Sequence, residues 1–217
     1  MILGSLQKKL NGLYSLPLQH SVYDFLVSDQ AAVLTLSAAP ETTDEALLIL
    51  EDGDEAEVAL YLDDDLLQRL GDDDPTIALS TGNMADFLAA LEGVSHFVYY
   101  CWNAHYDKTV TLLEMELQAE VDKFMTTAVL LNEQQGRLPK RLHRWLFDLP
   151  QLAGHLSGQQ RQRYYDANRL AGRYCLDLYQ RLRRGASMEE LAPELRDFYR
   201  ATQANKIDRI RALPPAN

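Results

Sequence analysis

The chain has 217 residues, 47% of them hydrophobic, with a formal net charge of −11, a composition that fits a folded soluble protein with one substantial core rather than a disordered tract. No apolar run approaches the roughly 20 residues that a membrane span needs. Lys8, Lys9, Gln19, His20 and Asp24 interrupt the apolar stretches of the first thirty residues, so no secretory leader is expected there.

The charge is divided by position. Residues 1–125 carry 23 acidic against 5 basic side chains, net −18, and residues 126–217 carry 9 acidic against 16 basic, net +7. Together these make the −11 of the whole chain, a figure that hides two segments of opposite sign. The expected organisation is an acidic mixed part over 1–131 and a basic helical part over 132–217, packed together as one compact unit. The only cysteines, Cys101 and Cys175, both lie in apolar contexts, which reads as buried thiols rather than a bridge and implies a reducing, cytoplasmic setting.

Ile2, Leu6, Leu10 and Leu13 recur at helical spacing and predict a short amphipathic helix that frays near Asn11-Gly12. Ser21 with Asp24 three residues on predicts a second short helix through Leu26. Over residues 47–62, two apolar runs flank Glu51-Asp52-Gly53-Asp54; a turn on Asp-Gly predicts a hairpin that pairs Leu47 with Val58 and Ile49 with Ala56, one face being apolar. Residues 63–70 read as a brief helix stopped by Gly71, and Asn83 starts another that ends at Gly93. Residues 95–102, rich in β-branched and aromatic side chains, predict a central strand. Thr111 with Glu114 forms a capping box for a helix to about Leu131. Residues 139–147, 159–184 and 187–213 predict three further helices, separated by the stretch from 149 to 158 and by Gly185. The expected fold class is α+β: a small antiparallel sheet with helices in the N-terminal part, and a helical C-terminal layer.

Titratable groups concentrate between His96 and Lys123. On a helical wheel Leu113, Leu117, Val121 and Phe124 define the buried face, Glu120 falls within its edge, Glu116 shares that side one turn earlier, and Asp122 points the opposite way. A carboxylate at the margin of an apolar face is costly unless partnered. Two such groups and an imidazole suit a divalent metal or a general acid/base pair, which makes His96, Glu116 and Glu120 the candidate catalytic residues. Their spacing matches no established metal motif, so none is assigned as a metal ligand. The site needs His96 to face the helix; strand parity groups it with Val98, Tyr100 and Trp102 and leaves open which face is covered. The structural alternative pairs Glu116 or Glu120 with Lys123 or with an arginine of the basic half, and makes His96 a hydrogen-bonded core residue.

Gly93-Val94-Ser95-His96 begins like a nucleophile elbow, but Phe97 stands where the second glycine is needed and the order of elements is reversed, which excludes a serine hydrolase. No phosphate loop, dinucleotide fingerprint or Cys-x-x-Cys pair is present. The triplets Asp63-Asp64-Asp65 and Asp72-Asp73-Asp74 lack the ligand spacing of a calcium loop and read as helix N-terminal charge and a solvated turn.

In the basic half, Lys140, Arg141, Arg144 and Trp145, then Arg161, Arg163, Arg169, Arg173, Arg181, Arg183 and Arg184, interleave with Tyr164, Tyr165, Tyr174 and Tyr179. Such a face can hold phosphate and stack bases, and Arg144, Arg169 and Arg173 are its candidate anion-binding residues. Asp166 and Asp177, however, stand three or four residues from Arg169, Arg173 and Arg181, and the acidic segment competes for the same cations. The leading expectation is therefore a non-catalytic binding or adaptor protein that engages an acidic protein partner or an anionic small molecule. The alternatives are a metal-dependent or acid/base enzyme acting on an anionic substrate, and an RNA-binding module, which the internal competition disfavours. Neither a membrane partner nor a cofactor is read from the residues.

Overall fold

Leu3, Leu6, Leu10 and Tyr14 recur every three to four residues and form the buried face of α1 (Ile2–Tyr14). This helix opens a computed structural model that describes residues 2–28, 44–52, 55–148 and 157–214. Ser21 then caps a single 3-10 turn, Val22–Asp24, by accepting from the Tyr23 amide, and the chain enters a two-residue strand, β1 (Leu26–Val27). β2 (Glu45–Asp52) and β3 (Glu55–Leu62) form the expected hairpin. β3 is central, antiparallel to β2 and parallel to β1, so the sheet is mixed rather than antiparallel throughout.

The hairpin register corrects the expected one. Leu47 pairs with Leu60 and Ile49 with Val58, so the strands close around residues 53–54, which lie outside the described residues, as does the Asp-Gly turn conformation. Sliding by one residue on each strand preserves the parity, and Leu47, Ile49, Val58 and Leu60 still share one face. Glu45, opposite Leu62, belongs to that same face.

Asp63 caps α2 (Asp64–Asp72) by accepting from the Asp65 and Leu66 amides, and Asp74 accepts from the Thr76 amide and hydroxyl in the turn that follows. Both acidic triplets thus do backbone work.

α3 (Met84–Ala104) overturns two expectations: residues 95–102 continue this helix instead of forming a strand, and Gly93 lies inside it instead of ending it. Gly93, Val94, Ser95, His96, Phe97, Val98 and Tyr99, seven consecutive residues spanning nearly two turns, are all buried, so this stretch turns no side to water. Without a wet face there is no polar period to read, and a buried helix and a buried strand then look alike. Gly93 sits where the sheet crosses: an added Cβ would lie 3.1 Å from Leu60 Cδ1, 3.2 Å from Leu62 Cδ2 and 3.3 Å from Glu45 Oε2.

α4 (Leu112–Gln135) begins at Thr111, which accepts from the Glu114 amide, and ends at Gly136, whose φ of +67° suits a residue without a side chain. It packs against α3 on one side and α6 on the other. α5 (Leu142–Phe147) is shorter than expected, and α6 (Gly158–Arg183) opens with a capping box between Ser157 and Gln160. The linker at 149–156 lies outside the described residues. Residues 187–213 form two helices rather than one, α7 (Met188–Arg200) and α8 (Gln203–Ala212), because Ala201 is extended and Thr202 caps a new helix through the Asn205 amide. The architecture is α+β, with eight α-helices and three strands among the described residues. Every one of these helices adds to a single buried apolar cluster running from Leu3 to Ile210. Residue 131, the expected division of the chain, lies inside α4. Both cysteines are free thiols, and burial pushes Cys101 up to about 12. No helix among the described residues is long and apolar enough to cross a membrane.

Buried helices oblige their polar side chains to find partners inside the protein. Asp122, expected to point away from the core, is 1% exposed and accepts from Tyr14 at 2.5 Å, Ser95 at 2.6 Å and Gln118 at 2.8 Å. Tyr99 donates to Glu114 at 2.5 Å. Lys206 of α8, wholly buried, donates to the Tyr99 hydroxyl at 2.9 Å and to Gln118 Oε1 at 2.7 Å, with its ammonium over the Tyr99 and Phe198 rings. One network thereby ties α1, α3, α4 and α8. Burial pushes Lys206 down to about 7 against the pull of Glu114 and Asp122, and pushes Asp122 up to about 6 despite its hydrogen bonds.

Between about 7 and the ordinary 10.5, the unfolded chain holds more protons on Lys206 than the folded chain, so raising the pH through that window stabilises the fold. Asp122 has the opposite slope, its folded form holding more protons between 3.8 and about 6. In urea titrations across the alkaline window, the wild type should gain on a Lys206→Met variant by up to about 1 kcal/mol per pH unit; a gap that stays constant with pH would contradict this. Thermal melts of two glycine variants should move in opposite directions. Gly93→Ala should lose about 1 kcal/mol by pressing on the buried leucines of β3, while Gly71→Ala, with nothing within 4 Å of the added carbon, should gain up to about 1 kcal/mol of helix propensity.

Candidate functional site

α3 and α4 lie side by side, and each presents titratable groups one helical turn apart: Glu92 and His96 on α3, Glu116 and Glu120 on α4. The hairpin, seated on Gly93, brings Glu45 to the same place, and α6 adds Arg163. His96 lies between two carboxylates, Nδ1 being 3.7 Å from Glu45 Oε2 and Nε2 3.6 Å from Glu116 Oε2. Glu116 also faces Arg163 Nε at 3.4 Å. Lys123 bridges Glu92 at 2.9 Å and Glu120 at 2.5 Å. The side chains of Glu45, His96, Glu116, Glu92, Glu120 and Lys123 are all less than one-fifth exposed.

The expected proximity of His96 to Glu116 is present, although helix–helix packing creates it and strand parity plays no part. The pairings of the structural alternative are present too: Glu120 with Lys123, and Glu116 with an arginine of the basic half. Ser95 is helical and its hydroxyl donates to Asp122, so nothing like a nucleophile elbow exists there. Sequence reading missed Glu45 and Glu92. Glu92 stands four residues before His96 and would have been visible had 83–104 been read as one helix; Glu45 carries no such signal, because only the seating of the sheet brings it in.

Electrostatics follow the burial. Burial disfavours the imidazolium of His96, but Glu116 and Glu45 on either side outweigh it and hold the group well above its ordinary value. Burial raises Glu45 and Glu120, against His96 in the first case and Lys123 in the second. For Glu92 the order reverses: burial works to raise it, and Lys123 with His96 brings it below the usual carboxylate range. Lys123, desolvated but held by Glu120 and Glu92, is kept firmly charged. Such a set can store a proton on His96, move it between carboxylates, or take a cation in its place.

The three arginines expected to bind anions are dispersed. Arg144 pairs with Asp148 at 3.0 Å, Arg169 with Asp166 at 3.6 Å, and Arg173 donates to the Arg211 and Leu213 carbonyls. Tyr174 and Tyr179 of the same face point inward, Tyr174 stacking on Phe198 with ring centres 4.0 Å apart.

A different basic surface lies at the other end of α4. A groove of about 1160 Å³ runs between α1, the end of α4, the loop after it, and the junction of α6 with α7. Lys8, Lys9, Arg137, Lys140 and Arg183 line it, against Glu133 and Glu189, over Leu13, Leu138, Pro139, Leu182 and Met188. Lys9 pairs with Glu133 at 2.7 Å; Lys8, Arg137 and Lys140 make no ion pair among the described residues. These cations are scattered at positions 8, 9, 137, 140 and 183, so no local motif announces them. His96, Glu116 and Glu120 are not part of this lining.

No protein-family model matches the chain, and no curated protein or solved structure matches it.

Lys123 bridges two buried carboxylates at close range, so Lys123→Met should cost about 3 kcal/mol or more in urea denaturation, the usual consequence of stranding a buried charge. Arg144→Ala, breaking a pair exposed to solvent at 75% and 49%, should change the midpoint hardly at all.

Proposed function

We propose that the protein is a non-catalytic binding or adaptor protein, and that the groove between α1, α4, α6 and α7 takes an acidic, amphipathic segment of a partner protein. The observation that carries this reading is the groove's composition: five basic side chains around an aliphatic floor, on a chain whose net charge is −11. A local positive field on an acidic molecule selects for negative partners and steers their approach. The half-buried Leu13, Leu138, Leu182 and Met188 supply the apolar contact that gives such a segment its affinity. At about 1160 Å³ the groove exceeds the usual range for a small-molecule pocket, which favours an extended occupant.

Two further observations weigh against the rival readings. Recognition of single-stranded RNA rests on aromatic rings that stack bases, and the groove lining contains no aromatic residue. An enzyme would bring its substrate to the titratable cluster, whereas the groove contains neither histidine nor cysteine.

The test is fluorescence anisotropy with three labelled probes: a peptide alternating Glu and Leu, its Lys and Leu counterpart, and oligouridine. The acidic peptide should bind with an affinity that falls as salt rises, and the double charge reversal Arg137→Glu with Lys140→Glu should weaken it about tenfold, roughly 1.4 kcal/mol. Binding of oligouridine in preference to the acidic peptide, or an unchanged affinity in the charge-reversed variant, would overturn the reading.

A further inference from the structure

The buried histidine at the centre of the acidic cluster lacks a hydrogen bond that its chemistry demands. His96 is 6% exposed and its Nε2 has no hydrogen-bond partner. The nearest acceptor given by the geometry, Glu116 Oε2, stands 3.6 Å away, beyond the length at which an imidazole N–H bonds an oxygen. Leaving a buried polar nitrogen in that condition is costly. The same separation is close to the distance between two ligands of one metal ion, which for bonds of about 2.1 Å in tetrahedral geometry is about 3.4 Å.

We propose that Glu92, His96 and Glu116 form a binding site for one divalent first-row transition ion of the zinc or manganese kind. One donor atom from each residue can be chosen so that all three lie within 4.8 Å of one another. They come from two packed helices, Glu92 and His96 from successive turns of α3 and Glu116 from α4, so the donor positions are fixed by helix packing and not by a loop. The remaining imidazole nitrogen, Nδ1, faces the Glu45 carboxylate at 3.7 Å, an ion-pair separation longer than a hydrogen bond. A carboxylate at the far nitrogen of a metal-binding histidine orients the ring and directs the other nitrogen's lone pair at the metal. Glu92 gives one oxygen to Lys123 and keeps its second for the ion.

The charges agree with this. Four carboxylates, those of Glu45, Glu92, Glu116 and Glu120, share the site with two permanent cations, Lys123 and Arg163. The excess of two negative charges matches one divalent ion bound to a neutral imidazole. The mixed nitrogen and oxygen donor set selects against calcium and magnesium, which take oxygen alone.

The measurement is isothermal titration of Zn²⁺ and of Mn²⁺ into the metal-free full chain, repeated with Glu116→Gln and His96→Gln. The wild type should bind one Zn²⁺ per chain with a Kd at or below about 1 µM, and each variant should lose about a hundredfold in affinity while keeping its circular dichroism. Absence of stoichiometric binding by the wild type, or equal binding by folded variants, would sink the proposal. Should the variants fail to fold, pulsed electron paramagnetic resonance of the wild type with Mn²⁺ decides: coupling to an imidazole ¹⁴N supports the site, and its absence refutes it.

Discussion

Closing α3 and α4 off from water on almost every side is the constraint from which the other features of the molecule follow. A helix of that kind has no solvent face on which to put its acids, so each polar side chain must be answered by another that some other element carries inward. Two separate answers result. Toward α1, α7 and α8, Asp122, Gln118, Glu114 and Tyr99 are met by Tyr14, Ser95 and Lys206. Toward the sheet and α6, Glu92, His96, Glu116 and Glu120 meet Glu45, Arg163 and Lys123. The first set is rich in directed hydrogen bonds, with a single buried cation. The second is a collection of charges, tight where Lys123 bridges Glu92 and Glu120 and looser around His96.

Opposite charge joins the two segments only in part. Lys9 with Glu133 and Arg163 with Glu116 cross between them, but Arg144, Arg169 and Arg181 find their acids inside the basic segment. The joint is apolar, made by α4 against α6 with Phe124, Ala128, Ala167, Ala171 and Leu178 at 2% exposure or less. Arg137 and Lys140, which make no ion pair among the described residues, are exposed at the groove.

Features whose cause is local were legible in the sequence. The cap at Thr111, the hairpin face shared by Leu47 and Val58, and the pairing of Glu120 with Lys123 each follow from residues a few positions apart. Where the cause is tertiary, the reading failed in a consistent way. Residues 95–102 looked like a strand because full burial erases the 3.6-residue period. Asp122 was placed in solvent because a wheel drawn for α4 assumes one wet face, and α1 covers that face. Glu45, Lys206 and the groove's scattered cations gain their meaning only from elements far away in the chain.

Lys206 also fixes the order in which this molecule can be completed. It stands 107 positions after Tyr99 and 88 after Gln118, the two side chains that receive its ammonium. During synthesis, α3 and α4 leave the ribosome long before α8, so Tyr99 and Gln118 wait without the buried amine that donates to them. The nascent chain can collapse around its apolar cluster but cannot close the polar part of its core, and closure over so long a loop is entropically slow. The polar part of the core is therefore complete only once α8 has docked, because among the described residues no other amine in the network donates to both Tyr99 and Gln118.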